Sequence, residues 1–340
     1  MPLNVKTTNI LFFLFGAGIF LFLVSQFGLD QIFANVHKAG WSLAYVVIVW
    51  LGIYLFNTAA WRLVLGRGGS GISFGELFMV TVSGFVINYI TPVVAIGGEP
   101  YKVNALAGAL GTERSVSAVV LYRMVHLLGH MLLLLTGVAA ALLLLLLPPA
   151  VNAGLALVGV LIASVIVATF MGHRYGIFSR LQKVARAIPL LGAVSEKLGR
   201  HTESLAEMDR AITEVYHERR GMLYGAVFIE YLSRILMGIE VYLILDGVGV
   251  EVSLLSSLFL YVVYSIVINV MFFIPMNLGA REGGLYLGLE SLALTPLLGV
   301  YLGIVMRLRE FFWILLGLLF ILLAGEKHRL EPERGGGLRP

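Results

Sequence analysis

Eight apolar runs, at about 9–28, 42–65, 77–96, 115–147, 151–170, 222–245, 253–275 and 298–324, determine the solvent this chain is built for. Each reaches the roughly 20 residues that an α-helix needs to cross a bilayer. A water-soluble domain of 340 residues cannot hide a composition that is 59% hydrophobic and 13% charged. Lipid is the expected surrounding, and in lipid the backbone amides must find their partners inside helices. The expected fold class is therefore an all-α polytopic membrane protein. The chain has no cysteine, which excludes disulfides, thiolate metal sites and cysteine nucleophiles. A net charge of +4 bears on orientation and on anionic lipid head groups rather than on nucleic acid.

The first run carries one lysine ahead of it and no small-residue cleavage site after it, so it reads as an uncleaved first span. Segment 172–220 has nine Lys/Arg against six acids, with Phe178, Leu181, Val184 and Ile188 at helical spacing. It reads either as amphipathic helices on the cytoplasmic face or as a solvated loop that sets topology. Its bases, those of the tail at 326–340, and Arg62 and Arg67 belong inside by the positive-inside rule. The loop with Asp246 and Glu251 suits the outside. The count then requires 77–111 to enter from the cytoplasm and return to it, and 253–296 to enter from outside and return there. The expectation is one transmembrane domain over 1–325, with six full spans, two re-entrant hairpins and both termini cytoplasmic.

Both hairpins are interrupted, and alike. Pro92 is followed by Glu99 and then by Arg123; Pro275 is followed at the same first spacing by Glu282 and then by Arg307. Gly97 and Gly98 flank the first glutamate; Gly279, Gly283 and Gly284 flank the second. Inverted repeats with broken helices are a transporter architecture that handles substrate between the repeats. Unwound backbone is tolerated at membrane depth only where protein buries it or where it lines a wet cavity. Half-helices starting near Pro100 and Glu282 aim amide N–H groups at the break, which suits an anion such as a phosphate. In this reading Arg123 and Arg307 hold phosphate. Glu99 and Glu282 hold an amine or cap and pin the hairpin tips. Lys102 and Arg114 recruit head groups at the cytoplasmic rim. Asn88, Pro92, Pro100, Pro275, Gly279 and Gly283 shape the tips.

Other charges lie within spans, where each is costly and faces the bundle interior. Arg123, His126 and His130 share one helix face. Glu230 and Arg234 stand at i, i+4 and are expected to pair, with Glu240 lower on the same helix. Arg307 and Glu310 share a face and are likewise candidates for pairing, with Arg309 directed elsewhere. No third ligand joins His126 and His130, and no phosphate-binding loop, nucleophile elbow or Cys/His cluster appears, so no metal, cofactor or ATPase activity is expected.

The stretches 97-GGEPYKVNAL-106, 114-RSVSAVVLYRMVH-126 and 274-IPMNLGAREGG-284 resemble the lysylphosphatidylglycerol synthase transmembrane family, also called the flippase-like domain family. That resemblance implies a polytopic lipid-handling domain, here a stand-alone member without the soluble aminoacyl-transferase domain. Arg281 departs from the small or apolar residue of related sequences and is placed to pair with Glu282. The expected function is a lipid translocase of the cell membrane, not an enzyme. Its substrate-binding set is Gly97, Gly98, Glu99, Lys102, Arg123, His126, Arg281, Glu282, Arg307 and Glu310, with Glu230 and Arg234 structural. Expected partners are anionic or polyprenyl-phosphate lipids, with a second copy and a separate lipid-modifying enzyme left open. The alternatives are a membrane-embedded enzyme acting on a lipid-linked phosphate or sugar, and a small-solute anion transporter.

Overall fold

The computed structural model describes residues 40–69, 71–90, 97–172, 220–272 and 279–330, together with Asp30, His37 and Asn277. The expected span at 9–28, the basic stretch 173–219, Pro92 and Pro275 at the two breaks, and the tail beyond 330 lie outside the described residues. Regular structure among the described residues is all helical: α1 Trp41–Leu65, α2 Phe74–Ile90, α3 Gly98–Leu110, α4 Thr112–Leu144, α5 Pro149–Gly172, α6 Arg220–Asp246, α7 Leu254–Val270, α8 Ala280–Ser291 and α9 Leu298–Leu330.

Local chemistry sets these limits. α2 opens on a reciprocal cap, in which the Ser73 N–H donates to Glu76 Oε2 at 2.9 Å and the Glu76 N–H to Ser73 Oγ at 3.2 Å. α7 opens on Ser253, whose Oγ accepts from the Ser256 N–H at 3.0 Å. α5 begins at Pro149, where a missing N–H costs nothing. Gly111, at φ +78°, turns the chain between α3 and α4.

By length and composition α1, α4 and Pro149–Val167 of α5 are apolar enough to cross a membrane. α6 and α9 are as long, but carry Glu230, Arg234 and Glu240, and Arg307, Arg309 and Glu310. α2 and α7 are shorter than the apolar runs from which they come. Leu143, Leu144, Leu157, Val160 and Leu161 are exposed on α4 and α5, as lipid-facing side chains should be.

The packing has an exchange symmetry. α1 and α6 pack along each other as the hub, with Val46 and Ile53 meeting the cluster of Met237, Val241 and Ile244. The hairpin α2–α3 packs on α4, the helix that follows it; the hairpin α7–α8 packs on α9, the helix that follows it. Each following helix also packs against the first arm of the other hairpin: α4 on α7, and α9 on α2. Swapping α1–α4 for α6–α9 thus reproduces the contact pattern. The short sequence repeat has a counterpart in tertiary structure.

Candidate functional site: two polar clusters in the helical core

The first cluster is built where α2 and α3 touch. A Cβ on Gly98 would stand 2.1 Å from the Gly84 carbonyl oxygen, so only glycine permits this approach. The Gly98 N–H donates to Asn88 Oδ1 at 2.7 Å, and Asn88 Nδ2 donates to Glu99 Oε1 at 3.1 Å. Asn88 therefore caps α3 and orients the glutamate. Pro100 sits in the first turn, where its missing N–H is harmless. Glu99 faces α4, with Oε1 3.6 Å from Arg123 Nη1, while its Oε2 is buried without a partner.

Lys102 lies one turn further along α3 and is 2% exposed, so the expectation of a rim position is corrected. The reason is Gly84: its absent side chain leaves the lane for the lysine stem, and a Cβ there would stand 2.3 Å from Lys102 Cε. The ammonium ends over three rings, with Nζ 4.6 Å from the Phe85 centroid, 5.4 Å from Tyr122 and 5.6 Å from Trp61. Trp61 and Tyr122 stack, with centroids 5.0 Å apart.

Next on α4, His126 Nδ1 is 2.9 Å from Glu230 Oε2, and Arg234 Nη2 contacts His126 Nε2. Arginine has no lone pair to offer, so Nε2 accepts and the Nδ1–H donates to Glu230: the imidazole is neutral. Asn57 Nδ2 also donates to Glu230 Oε2 at 2.9 Å, and Arg234 stands 3.9 Å from it. The expected Glu230–Arg234 pair is thus one edge of a four-residue network. Phe85, Glu99, Lys102, Val119, Tyr122, Arg123 and His126 line a narrow gap with no room for a water molecule. The half-exposed Arg123 side chain is its outer wall.

The second cluster uses the corresponding residues differently. Glu282 Oε2 accepts from the Gly279 N–H at 2.9 Å and caps α8, while Oε1 accepts from Arg307 Nη2 at 2.6 Å and Nε at 3.1 Å. Gly303 admits this carboxylate, because a Cβ there would stand 2.8 Å from Oε1. Arg281 Nη2 reaches Glu310 Oε1 at 2.8 Å, and Tyr89 donates to Glu310 Oε2. Arg309 holds Glu240 Oε1 at 2.8 and 3.0 Å and lies 3.8 Å over the Trp50 ring, whose Nε1 donates to Glu240 Oε2 at 2.8 Å.

Two expected pairings are corrected. Arg307 pairs with Glu282 and not with Glu310, and Arg281 pairs with Glu310 and not with its neighbour Glu282. The cause is the tight α8–α9 contact, with Gly299 against the backbone of Leu285 and Tyr286, which brings interhelical partners closer than those along one helix. Glu99–Arg123 and Glu282–Arg307 are equivalent pairs in the two repeats. Their aims differ: the first is open on one oxygen, whereas all six carboxylate oxygens of Glu240, Glu282 and Glu310 have donors. Arg281 retains Nε and Nη1 without partners.

A helical hairpin in each repeat, a Gly-Gly-Glu-Pro helix start paired to an arginine on the next helix, and an all-helical apolar fold among the described residues now stand together. The sequence profile described as "Lysylphosphatidylglycerol synthase TM region" matches residues 9–317. The chain belongs to that family. No curated protein and no solved structure matches it. This lysylphosphatidylglycerol synthase TM region is a membrane protein whose family relates to lipid handling. Both clusters lie inside the matched stretch. The matched stretch also contains site neighbours that sequence reasoning overlooked: Trp50, Asn57, Trp61, Phe85, Tyr89 and Tyr122. Polar or aromatic residues facing apolar helices were their signal, but nothing in the spacing says which other helix each one meets.

Proposed function

We propose that this protein is a lipid translocase that takes an anionic, phosphate-bearing head group at the first cluster and moves it between leaflets. One observation carries the reading. Lys102, Arg123 and Arg234 meet two carboxylates, Glu99 and Glu230, so the cluster has one cation in excess, and the half-exposed Arg123 is the one with an open side. In the second cluster Arg281, Arg307 and Arg309 face Glu240, Glu282 and Glu310, and the count balances. An arriving anion can meet Arg123 on its open side and form a charge-assisted hydrogen bond.

The exchange symmetry of the helix contacts supports two opposed re-entrant hairpins within six spans, the arrangement used for alternating access. Arg123, as the exposed wall, is the gate through which a head group enters. Gly97 and Gly98 hold the start of α3 against α2 and so set the position of Glu99, and His126 links the site to Glu230. Arg281, Glu282, Arg307 and Glu310 act as the fixed frame rather than as phosphate ligands. The basic segments at 172–220 and 326–340 support the reading of a cell-membrane protein with both termini in the cytoplasm.

The test is transbilayer movement of fluorescent phosphatidylglycerol in proteoliposomes, read by a membrane-impermeant quencher. Wild type moves the lipid. Arg123→Ala and Glu99→Gln slow it by about tenfold or more, the size of a lost charge-assisted hydrogen bond. Equal rates in wild type, variants and protein-free vesicles would refute the reading. Recovered lipid is chemically unchanged; turnover in detergent would favour a lipid-modifying enzyme instead.

A further inference from the structure

Histidine is the side chain that exchanges a proton most readily near neutral pH, and the two repeats place it unequally. Three residues after the paired arginine stands His126 in the first repeat and Glu310 in the second. Glu310 is held by Arg281 and Tyr89. His126 instead lies between a carboxylate and a guanidinium: Nδ1 is 2.9 Å from Glu230 Oε2, and the Nε2 lone pair is taken by Arg234. A proton arriving at this ring has one place to go, and Arg234 already occupies it. Proton and guanidinium compete for a single lone pair. Glu230 holds the ring in either state, because Nδ1 donates to it whether or not Nε2 is protonated. Tyr122 and Asn57 hold Glu230 in turn. Arg234 has a second anchorage. It hydrogen-bonds Tyr261 on α7, the first arm of the second hairpin, and its Nη1 lies 3.8 Å from Met237 Sδ. Proton uptake at His126 thus turns Arg234 from α4 toward α7.

The other groups around the ring link this step to an anion. From α3, Glu99 and Lys102 line the same gap as His126, as does Arg123 of its own helix. Phe85 of α2 brings a ring without charge, 5.1 Å between centroids. α1 contributes Asn57 through Glu230, also without charge. His130, one turn along α4, meets Ser265 and Asn269 and no acid among the described residues. Three cations already share Glu99 and Glu230, so no spare anion faces a protonated His126. An anion on the open side of Arg123 supplies it. Anion and proton therefore favour each other's binding.

We propose that His126 is a proton-binding site and that this proton is the coupling ion of the translocase. The proton passes from water to Nε2 as a singly charged anionic head group arrives at Arg123. It leaves to water on the other side when Arg234 returns to Nε2. One proton and one negative charge cross together, and no net charge moves. The inference rests on the translocase reading for its cargo, but the proton site has a test of its own.

That test follows ¹⁵N signals of the seven histidines of the full chain in detergent, between about pH 5 and 8, with His126→Gln to assign the ring. His126 gains a proton on Nε2, the Arg234 side-chain signal shifts at the same midpoint, and short-chain phosphatidylglycerol promotes the uptake. A ring that stays neutral across the range, with and without lipid, overturns the inference. So does protonation that leaves the Arg234 signal fixed. Coupling is read in proteoliposomes under a gradient of about one pH unit, with the potential clamped by potassium and valinomycin and protein-free vesicles as reference. In wild type, fluorescent phosphatidylglycerol gathers on the leaflet facing the alkaline side, up to about tenfold, the limit for one proton per lipid. His126→Gln, whose amide can still accept from Arg234 and donate to Glu230, abolishes the asymmetry whatever its rate of movement. His130→Gln keeps it. Helix content and elution volume report folding for each variant. Wild-type lipid that moves but distributes evenly overturns the inference and leaves the translocase reading standing. Proton uptake with the Arg234 response, but no movement in vesicles, contradicts the translocase and its coupling and leaves the proton site standing.

Discussion

The two polar clusters occupy equivalent places in a repeated scaffold and solve the problem of buried charge in opposite ways. Around α8 and α9 each carboxylate oxygen has a donor and three arginines meet three glutamates. Around α3 and α4 the equivalent glutamate and arginine stand 3.6 Å apart, one carboxylate oxygen is idle, and a lysine has only ring faces. A balanced network fixes two helices together. An unbalanced one has something left to bind. The duplicated scaffold thus supplies one half as a lock and the other as a receptor.

The sharpest way to break this comparison is to remove a cation from each half. Arg309→Met strands Glu240 in the core and lowers stability by about 3–5 kcal/mol, read as resistance to denaturant in detergent. Lys102→Met removes a charge that has no hydrogen-bonded carboxylate. It lowers stability by less than about 1 kcal/mol in the same titration, because the methionine keeps most of the packed stem. If both variants lose stability equally, the clusters do not differ in kind.

Glycine at the close contacts comes next. Gly98→Ala forces α3 away from the Gly84 carbonyl and costs about 1–3 kcal/mol, the usual range for overpacking. Its loss of stability should be accompanied by exposure of Lys102 to amine-reactive reagents. Smaller still is the contrast between the equivalent glutamates. Glu282→Gln costs about 1.5–3 kcal/mol, because two arginine donors and a helix cap depend on it. Glu99→Gln costs under about 1 kcal/mol, since its arginine is half exposed.

What the sequence made legible follows the same division. Helix limits were close: the run 115–147 became Thr112–Leu144, and 222–245 became Arg220–Asp246. Gly, Pro and Ser act locally, so their effect can be read from the chain itself. The pairing of Glu99 with Arg123 and of Glu282 with Arg307 was foreshadowed by the repeat spacing, yet each was read as a separate ligand. Pairs along one helix were the natural expectation and misled for Arg307 and Glu310, because spacing reports only neighbours on the same helix. Lys102 stands three residues after Glu99, a spacing that favours pairing. Asn88 and Arg123, from two other helices, take the carboxylate instead. The ring seat draws on α1, α2 and α4, and no pattern within one segment encodes it.

The central claim, that the anion site belongs to the first cluster, is tested most directly by lipid-induced stabilisation. A ligand that binds only the folded protein raises its stability by about 2.7 kcal/mol at a hundredfold excess over Kd. Apparent Tm in detergent is measured with and without phosphatidylglycerol for wild type, Lys102→Met and Arg307→Met. The account predicts an upward shift for wild type and for Arg307→Met, whatever its starting Tm, and none for Lys102→Met. A shift that persists in Lys102→Met and vanishes in Arg307→Met would place the site in the second cluster and contradict the account.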